Sequence, residues 1–504
     1  MKKILAAILA AAMALTLSGC AGGDEKSGSD QLSKPNGGTV NTPISGGASG
    51  VGVNDPNTPG GNGTDHAQQN TGSGKLTRLA KIGLFRDSES ANCTGEGCYN
   101  FKRLFEKVDF INLTYIDFAL RREVVLCSDS SCKHDSELCN SYFSYNEIFP
   151  LTEVFVCGDH LFVLSTETDD DGSMAAGIHH GDGFEPKPET RRPTIFRMDL
   201  DGTNREKIYE AALGDIIEGQ VFGDGDYLWF VTKTPTVDIY EETGAVYYHS
   251  KNRALLKLSV STGTIAERIP LDDYNNIRLS IDGCAGDKII LSGIAYPNGT
   301  SAWDNINILA PSQNFGDNPS DYWEFRKKWE YVVFTLDPDT KELKEVCREM
   351  YDDLGNIYFQ GDWVYFLIDD KLTRRNLLTH DTNESEDVNT PSEYRFDGFF
   401  LDKMTFTRIT ENWSDDATYL TDIGGTELIK SAYQLGFISD FRVLGVSGDK
   451  VVAVYETEKI PSVNNPGAYN IGEQKIGIIM LDDLFGGKNT VEPITPIGQM
   501  VSDF

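Results

Sequence analysis

The 504 residues predict an all-β fold assembled from repeated four-stranded sheets, and three observations carry that prediction. A Gly-Asp pair followed by alternating aliphatic and aromatic residues occurs at Gly158-Asp159, Gly225-Asp226, Gly286-Asp287, Gly361-Asp362 and Gly448-Asp449. After most of these comes a second unit, in which a strand runs through a turn rich in Gly, Asp or Pro into a returning strand. Helical periodicity is sparse throughout.

Each Gly-Asp pair reads as a hairpin turn entering a strand, as in His160-Leu161-Phe162-Val163, Tyr227-Leu228-Trp229-Phe230 and Trp363-Val364-Tyr365-Phe366. The second units span Ile195 to Ile208 around Asp201-Gly202, Leu255 to Ile269 around Gly263, Val332 to Val346 around Asp337-Pro338-Asp339-Thr340, and Ile476 to Val491 around Asp482-Asp483. Such clusters supply the backbone angles that tight hairpins need. Two hairpins make a four-stranded antiparallel sheet, and modules recurring every 60 to 90 residues are the layout of a β-propeller with inserted loops. Weaker modules lie at Phe110 to Leu126, and at Phe399 to Thr407 with Tyr419 to Lys430. The expectation is therefore about seven four-stranded blades, with six as the alternative, in a single domain over residues 76–504. Two stacked sandwiches are the rival arrangement. A short helix is expected at Asp321 to Glu330, inside an insertion.

The N-terminus has a different character. Met1-Lys2-Lys3 and the apolar run Ile4 to Leu17 have the organisation of a signal peptide, and the run falls short of the ~20 apolar residues a membrane helix needs. Residues 20–75 are Gly, Ser, Asn, Thr and Pro with almost no large apolar side chain, so they cannot bury a core and are expected to be a disordered tether. A chain of that length spans about 40 Å r.m.s..

Leu17-Ser18-Gly19-Cys20 resembles the lipobox of bacterial lipoproteins. The resemblance implies cleavage after residue 19, a diacylglycerol on the Cys20 thiol, and a further acyl chain such as palmitate on its amine. Two chains give stable anchoring where one does not. Ile195-x-Arg197-x-x-Leu200-Asp201-Gly202-x-Asn204-Arg205-x-x-Ile208 resembles the repeat of YWTD propellers in low-density-lipoprotein-receptor-type proteins. One module carries it in full, and Tyr227-Leu228-Trp229-Phe230 is the nearest approach to the tetrad itself. Lipobox, tether and module together look like the propeller lipoproteins of Gram-positive bacteria, which implies a fold and an extracytoplasmic, membrane-anchored address with no activity attached.

The densest group of chemistry-bearing residues is Cys127, Cys132, His134 and Cys139, within thirteen residues and preceded by Cys93-x4-Cys98. Three thiolates and an imidazole complete a tetrahedral set for structural zinc. Export equally permits disulfides, pairing Cys93 with Cys98 and two of the later three, so both readings stand. Either is structural, because four protein ligands leave no open coordination position. Cys157, Cys284 and Cys347 adjoin apolar strands and read as small core residues. Asp169-Asp170-Asp171 and Asp199-x-Asp201 read as turn chemistry, lacking the twelve-residue calcium loop. His179-His180 has no third ligand in register, and Ser447-x-x-Lys450 flanks a hairpin turn where a Ser-Lys enzyme needs a helix. No catalytic residue or cofactor-binding motif is assigned.

Trp303, Trp323, Trp329 and Trp413 fall in insertions outside the blade strands and are the candidate ligand-contact aromatics. The formal charge of −32, from 77 acidic against 45 basic residues, leaves no basic stripe and argues against nucleic acid and against direct docking on anionic lipid. The functional expectation is a tethered binding module whose partner is an envelope protein or a glycan, contacting the membrane through its lipid alone. A glycan-active hydrolase or lyase comes second. A transporter's solute-binding lipoprotein comes third, because it would alternate strands with helices.

Overall fold

The computed structural model describes residues 75–81, 91–102, 104, 110–144, 152–165, 192–240, 245–271, 277, 279–297, 326–368, 371–379, 386–391, 393–408, 417–433, 435, 441–457, 460–461, 469–470 and 473–497. All belong to one compact unit, Thr64–Phe504. The expectations for the signal peptide, Cys20, the tether, Asp169-Asp170-Asp171 and His179-His180 lie outside the described residues.

Strand β1 (Thr77–Lys81) precedes seven antiparallel sheets that follow one another along the chain. Blade 1 holds β2 (Gly97–Lys102), β3 (Phe110–Asp117), β4 (Arg122–Val125) and β5 (Tyr142–Ser144). Blade 2 holds β6 (Thr152–Cys157), β7 (His160–Ser165), β8 (Thr194–Asp199) and β9 (Glu206–Glu210). Blade 3 holds β10 (Ile216–Gly223), β11 (Tyr227–Tyr240), β12 (Ala245–Ser259) and β13 (Ile265–Pro270). Blade 4 holds β14 (Ser280–Ala285), β15 (Lys288–Ala295), β16 (Glu330–Leu336) and β17 (Leu343–Met350). Blade 5 holds β18 (Leu354–Gln360), β19 (Trp363–Ile368), β20 (Lys371–Asn376) and β21 (Glu386–Val388). Blade 6 holds β22 (Tyr394–Phe400), β23 (Lys403–Arg408), β24 (Thr418–Thr421) and β25 (Ile429–Lys430). Blade 7 holds β26 (Phe441–Ser447), β27 (Lys450–Glu456), β30 (Gln474–Met480) and β31 (Glu492–Pro493), with a two-stranded ribbon of β28 (Ile460–Pro461) and β29 (Tyr469–Asn470) between its second and third strands.

Side-chain alternation turns these sheets into a ring. In a strand buried on both faces, odd and even positions point into different layers. Trp229 of β11 packs with Leu291 and Phe334 of blade 4, while its neighbours Leu228 and Phe230 pack with Phe155 and Phe162 of blade 2. Val364 and Phe366 join blade 4, and Tyr365 between them joins Met404 and Phe406 of blade 6. Blades 1 and 2 share Phe143 and Phe196, blades 6 and 7 share Leu420 and Val451, and Val452 of blade 7 packs on Ile116 of blade 1. Seven sheets with seven shared cores, the last joining blade 7 to blade 1, make a closed seven-bladed propeller and decide against six blades and against stacked sandwiches.

All five Gly-Asp pairs occupy the turn between the first and second strands of a blade, each glycine with positive φ, from 55° at Gly361 to 98° at Gly225. Blade 6 puts Leu401 there at φ 54°, so the same turn is made without the glycine that signals it. The second units are the third and fourth strands. At Asp482-Asp483, however, the expected hairpin turn is a short helix, α1 (Leu481–Phe485), ending at Gly486-Gly487. In the expected helix at Asp321 to Glu330, Arg326 alone is described as helical, Lys327 and Lys328 form a turn, and Glu330 opens β16. Residues 321–325 lie outside the described residues.

The arginines of the Ile195 to Ile208 module fasten blade 2 to both neighbours. Arg197 donates to the carbonyls of Val260 and Ser261 in blade 3, and Arg205 donates to Tyr142 O while lying over the Phe143 ring of blade 1. The ring closes at two places between blades 7 and 1. Near the inner edge, Asn92 Nδ2 donates to Leu444 O and Ser447 Oγ to Thr94 O. Farther out, Thr495 forms a parallel bridge with Arg122, and the fully buried Glu123 carboxylate accepts from Lys102 Nζ at 2.6 Å, Thr114 Oγ1 at 2.8 Å and the Ile497 amide at 3.2 Å.

Strand β1 lies inside the ring. It pairs with the inner edge of β10, Thr77 opposite Gly223 and Lys81 opposite Gln220, and its Leu79 and Ala80 are fully buried. Leu79 O accepts from the Ala91 amide and Ala91 O from that of Val156, which extends the pairing across to blade 2. Thr77, the first residue of β1, is at the rim of the Gly-Asp turns.

Candidate metal centre and channel mouth

The four residues singled out for metal binding come together. One donor atom from each of Cys127, Cys132, His134 and Cys139 can be chosen so that all four lie within 4.8 Å of one another. None of the three thiols is disulfide-bonded, whereas Cys93 and Cys98 are bonded to each other, as the alternative pairing expected for them.

The local fold explains the convergence. In blade 1 the place of the third strand is divided: β4 pairs with one half of β3 and β5 with the other, and residues 126–141 loop out between them. Asp129 caps a turn by accepting from the Ser131 amide and hydroxyl, and the Cys132 amide donates to Asp129 O. His134 sits in the left-handed region at φ 63°, which turns the chain back and lets its amide donate to Cys132 Sγ at 3.3 Å. A second turn, Cys139 N to Ser136 O, carries Cys139 inward. Its Sγ lies 3.3 Å from His134 Nδ1 and 3.0 Å from Ser141 Oγ.

Below them, the fully buried Asn112 of β3 donates to His134 O and to Ser141 Oγ. Asn112 and Ser141 were not legible as part of the site, because their partnership joins β3 to the far end of a loop. Burial pushes the Cys139 thiol up, but the hydrogen bonds of Ser141, His134 and Cys132 outweigh it and bring it down to about 7. Cys127, with burial dominating, is pushed up to about 11.

The other expected core cysteines behave as such. Cys157 and Cys347 are buried and Cys284 is half-buried; burial pushes the first two up to about 12 and Cys284 to about 11. Asp201 accepts from the Thr203 amide and Asn204 donates to Asp199, so that acidic cluster is turn chemistry. Ser447 and Lys450 face each other across the blade 7 hairpin.

Trp303, Trp323 and Trp413 lie outside the described residues. Trp329 is half-buried, edge-on to Tyr296 at 5.1 Å and tilted against Tyr351 at 5.9 Å, at the base of the blade 4 insertion.

A second site was not anticipated. At the rim of the Gly-Asp turns the central channel opens into a cavity of about 440 Å³, whose lining includes Arg78 of β1, Asp282 and Cys284 of β14, Phe359 and Gln360 of β18, and Asp402. Asp282 Oδ2 and the neighbouring Gln220 Oε1 are sealed from solvent and have no hydrogen-bond partner among the described residues. Burial raises the Asp282 carboxyl to about 6, against the opposing pull of Ser292, Arg253 and Lys81. Leu76 to Lys81 is apolar at Leu76, Leu79 and Ala80 without the alternation of a strand, so the sequence carried no signal for a strand inside the ring.

No family model matches the chain, and no curated protein matches it. Solved structures do. The β-propeller domain of the trilobed protease from Pyrococcus furiosus aligns over 80% of this chain and 95% of its own, at 10% identity and a TM-score of 0.38. Dipeptidyl peptidase 4 of Porphyromonas gingivalis aligns over 87% and 62%, at 9% identity and a TM-score of 0.39. An acylaminoacyl peptidase aligns over 79% of this chain at 9% identity and a TM-score of 0.40, and the chain covers 50% of its length. Likenesses this distant carry no argument, and the architecture rests on the sheets and shared cores of this chain. The class of protein that fold and sites define is a seven-bladed β-propeller.

Proposed function

We propose that this chain is an extracytoplasmic binding module, held to a membrane by lipid on Cys20, that captures an envelope protein or a glycan on one rim of its propeller. The observation that carries this reading is the polarity of the ring. Successive antiparallel strands alternate direction, so the turns between first and second strands share one rim and the connections between second and third strands share the other. Strand β1 begins, at Thr77, on the first rim. The long insertions, from Ser165 to Thr194 and from Ala295 to Glu330, start and end at the second, as does the extended β11–β12 ribbon. A tether attached at one rim presents the opposite one outward, and variable loops on a rigid ring are where recognition evolves without disturbing the core.

The test uses the full-length chain in intact cells, with a photo-crosslinking residue placed at the exposed Lys327 or Lys328 on the insertion rim, or at the exposed Asp287 or Asp362 on the turn rim. Capture of one defined partner from the insertion rim supports the reading. Crosslinks from the turn rim alone overturn it.

A second reading, a glycan-active enzyme, is favoured by one observation: Asp282 and Asp402 line the same cavity, and burial raises the Asp282 carboxyl to about 6, toward the range of a general acid. Loss of polysaccharide turnover in both Asp282→Asn and Asp402→Asn would support it.

A further inference from the structure

We propose that Cys127, Cys132, His134 and Cys139 bind one zinc ion, and that this ion stands in for the core that the blade 1 loop lacks. The geometry fits. Around zinc with Zn–S bonds of about 2.3 Å, tetrahedral donors lie about 3.8 Å apart. The four donor atoms already lie within 4.8 Å of one another, with the His134 Nδ1 to Cys139 Sγ edge at 3.3 Å.

The loop has little else to hold it. Leu138 is 94% exposed, and between Cys127 and Ser141 the only buried side chains are Cys139 and Ser141 themselves. A loop that divides a strand position and buries almost nothing apolar cannot offset the entropy of ordering it. A closed metal shell supplies folding free energy directly.

The surroundings suit thiolates. The His134 amide is directed at Cys132 Sγ and the Ser141 hydroxyl adjoins Cys139 Sγ, so charge on sulfur is met by donors, as around ligating cysteines generally. Asn112 holds His134 and Ser141 from beneath and acts as a positioning residue. The contrast within the chain also counts: Cys93 and Cys98 are bonded to each other, while the three thiols of the loop converge on an imidazole and remain unbonded. Three soft sulfurs and one imidazole in a closed tetrahedron select zinc over the oxygen-seeking cations.

The experiment measures metal in the full-length protein purified without chelator, by elemental analysis, together with the absorption spectrum after replacement by cobalt. About one zinc per chain and the intense tetrahedral cobalt–thiolate bands are expected. Cys132→Ser and Cys139→Ser should reduce bound zinc roughly tenfold or more, Asn112→Ala should weaken retention about 10- to 100-fold against a competing chelator, and His134→Cys should keep the ion. Cys284→Ser, outside the loop, should leave zinc unchanged. If loop variants fail to fold, the wild-type protein still decides. A disulfide between any two of Cys127, Cys132 and Cys139 by peptide mapping, three freely titrating thiols with no bound metal, or a different metal in the site would each overturn the proposal.

Discussion

Replacing Glu123 by Gln should open the ring at its seam. The Glu123 side chain is fully buried and that of Lys102 is 8% exposed, so the ammonium has no water to turn to once the carboxylate is gone. Breaking a buried pair by removing one partner costs about 3–5 kcal/mol, far more than the pair's net worth, because the other charge stays buried. The same carboxylate accepts the Ile497 amide and the Thr114 hydroxyl, and a hydrogen bond to a charged group is worth about 1.5–3 kcal/mol. These overlap, and about 4 kcal/mol is the working expectation.

The loss should be local before it is global, since Glu123 joins blade 1 to the C-terminal segment Ile494–Ile497 and leaves the shared cores of the other blades intact. The assay is urea unfolding followed by tryptophan fluorescence, run beside limited proteolysis that reports release of residues 494–497. Lys102→Met in the Glu123→Gln background should recover at least half of the loss, because it removes the stranded charge. A single-variant cost below about 1 kcal/mol, or simple additivity of the two changes, would refute the reasoning.

Three further outcomes follow from the structure. Asp282 has its pKa raised above the value of an unfolded carboxylate, so stability is full below about 3.8 and is lost as pH rises through about 6. Asp282→Asn should therefore stabilise the protein by up to about 3 kcal/mol at pH 7.5 and leave it unchanged at pH 4, and equal midpoints at pH 7.5 would contradict this. In Gly223→Ala the new methyl would lie 2.6 Å from Leu79 Cδ1 and 2.9 Å from Cys157 Sγ, all in packed core. It should cost about 1–3 kcal/mol and loosen β1, seen as faster amide exchange over residues 77–81. Trp329→Ala should cost about 2 kcal/mol by removing the contacts with Tyr296 and Tyr351, whereas unchanged stability with lost partner capture would show that Trp329 serves the ligand and not the loop.

The sequence by itself determined the blade pattern, because hairpin turns and period-two burial are local. Gly158, Gly225, Gly286, Gly361 and Gly448 mark one recurring turn, since each needs a left-handed backbone that glycine adopts without cost. Leu401 shows the limit: it holds the same turn without the residue that announces it, so blade 6 reads in the sequence only as one of the weaker modules. The four ligand candidates at Cys127, Cys132, His134 and Cys139 were legible because they crowd into one short loop.

Tertiary structure decided what depends on contacts between distant residues. Seven blades rather than six became certain through the shared core of Val452 and Ile116, which lie at opposite ends of the chain. It brought Asn112 under the metal loop, seated Glu123 against the C-terminal segment, and ran β1 through the channel beside Asp282. None of these leaves a local signal, because a buried polar group is defined by the partner that three-dimensional packing sets beside it, and that partner can stand anywhere in the sequence.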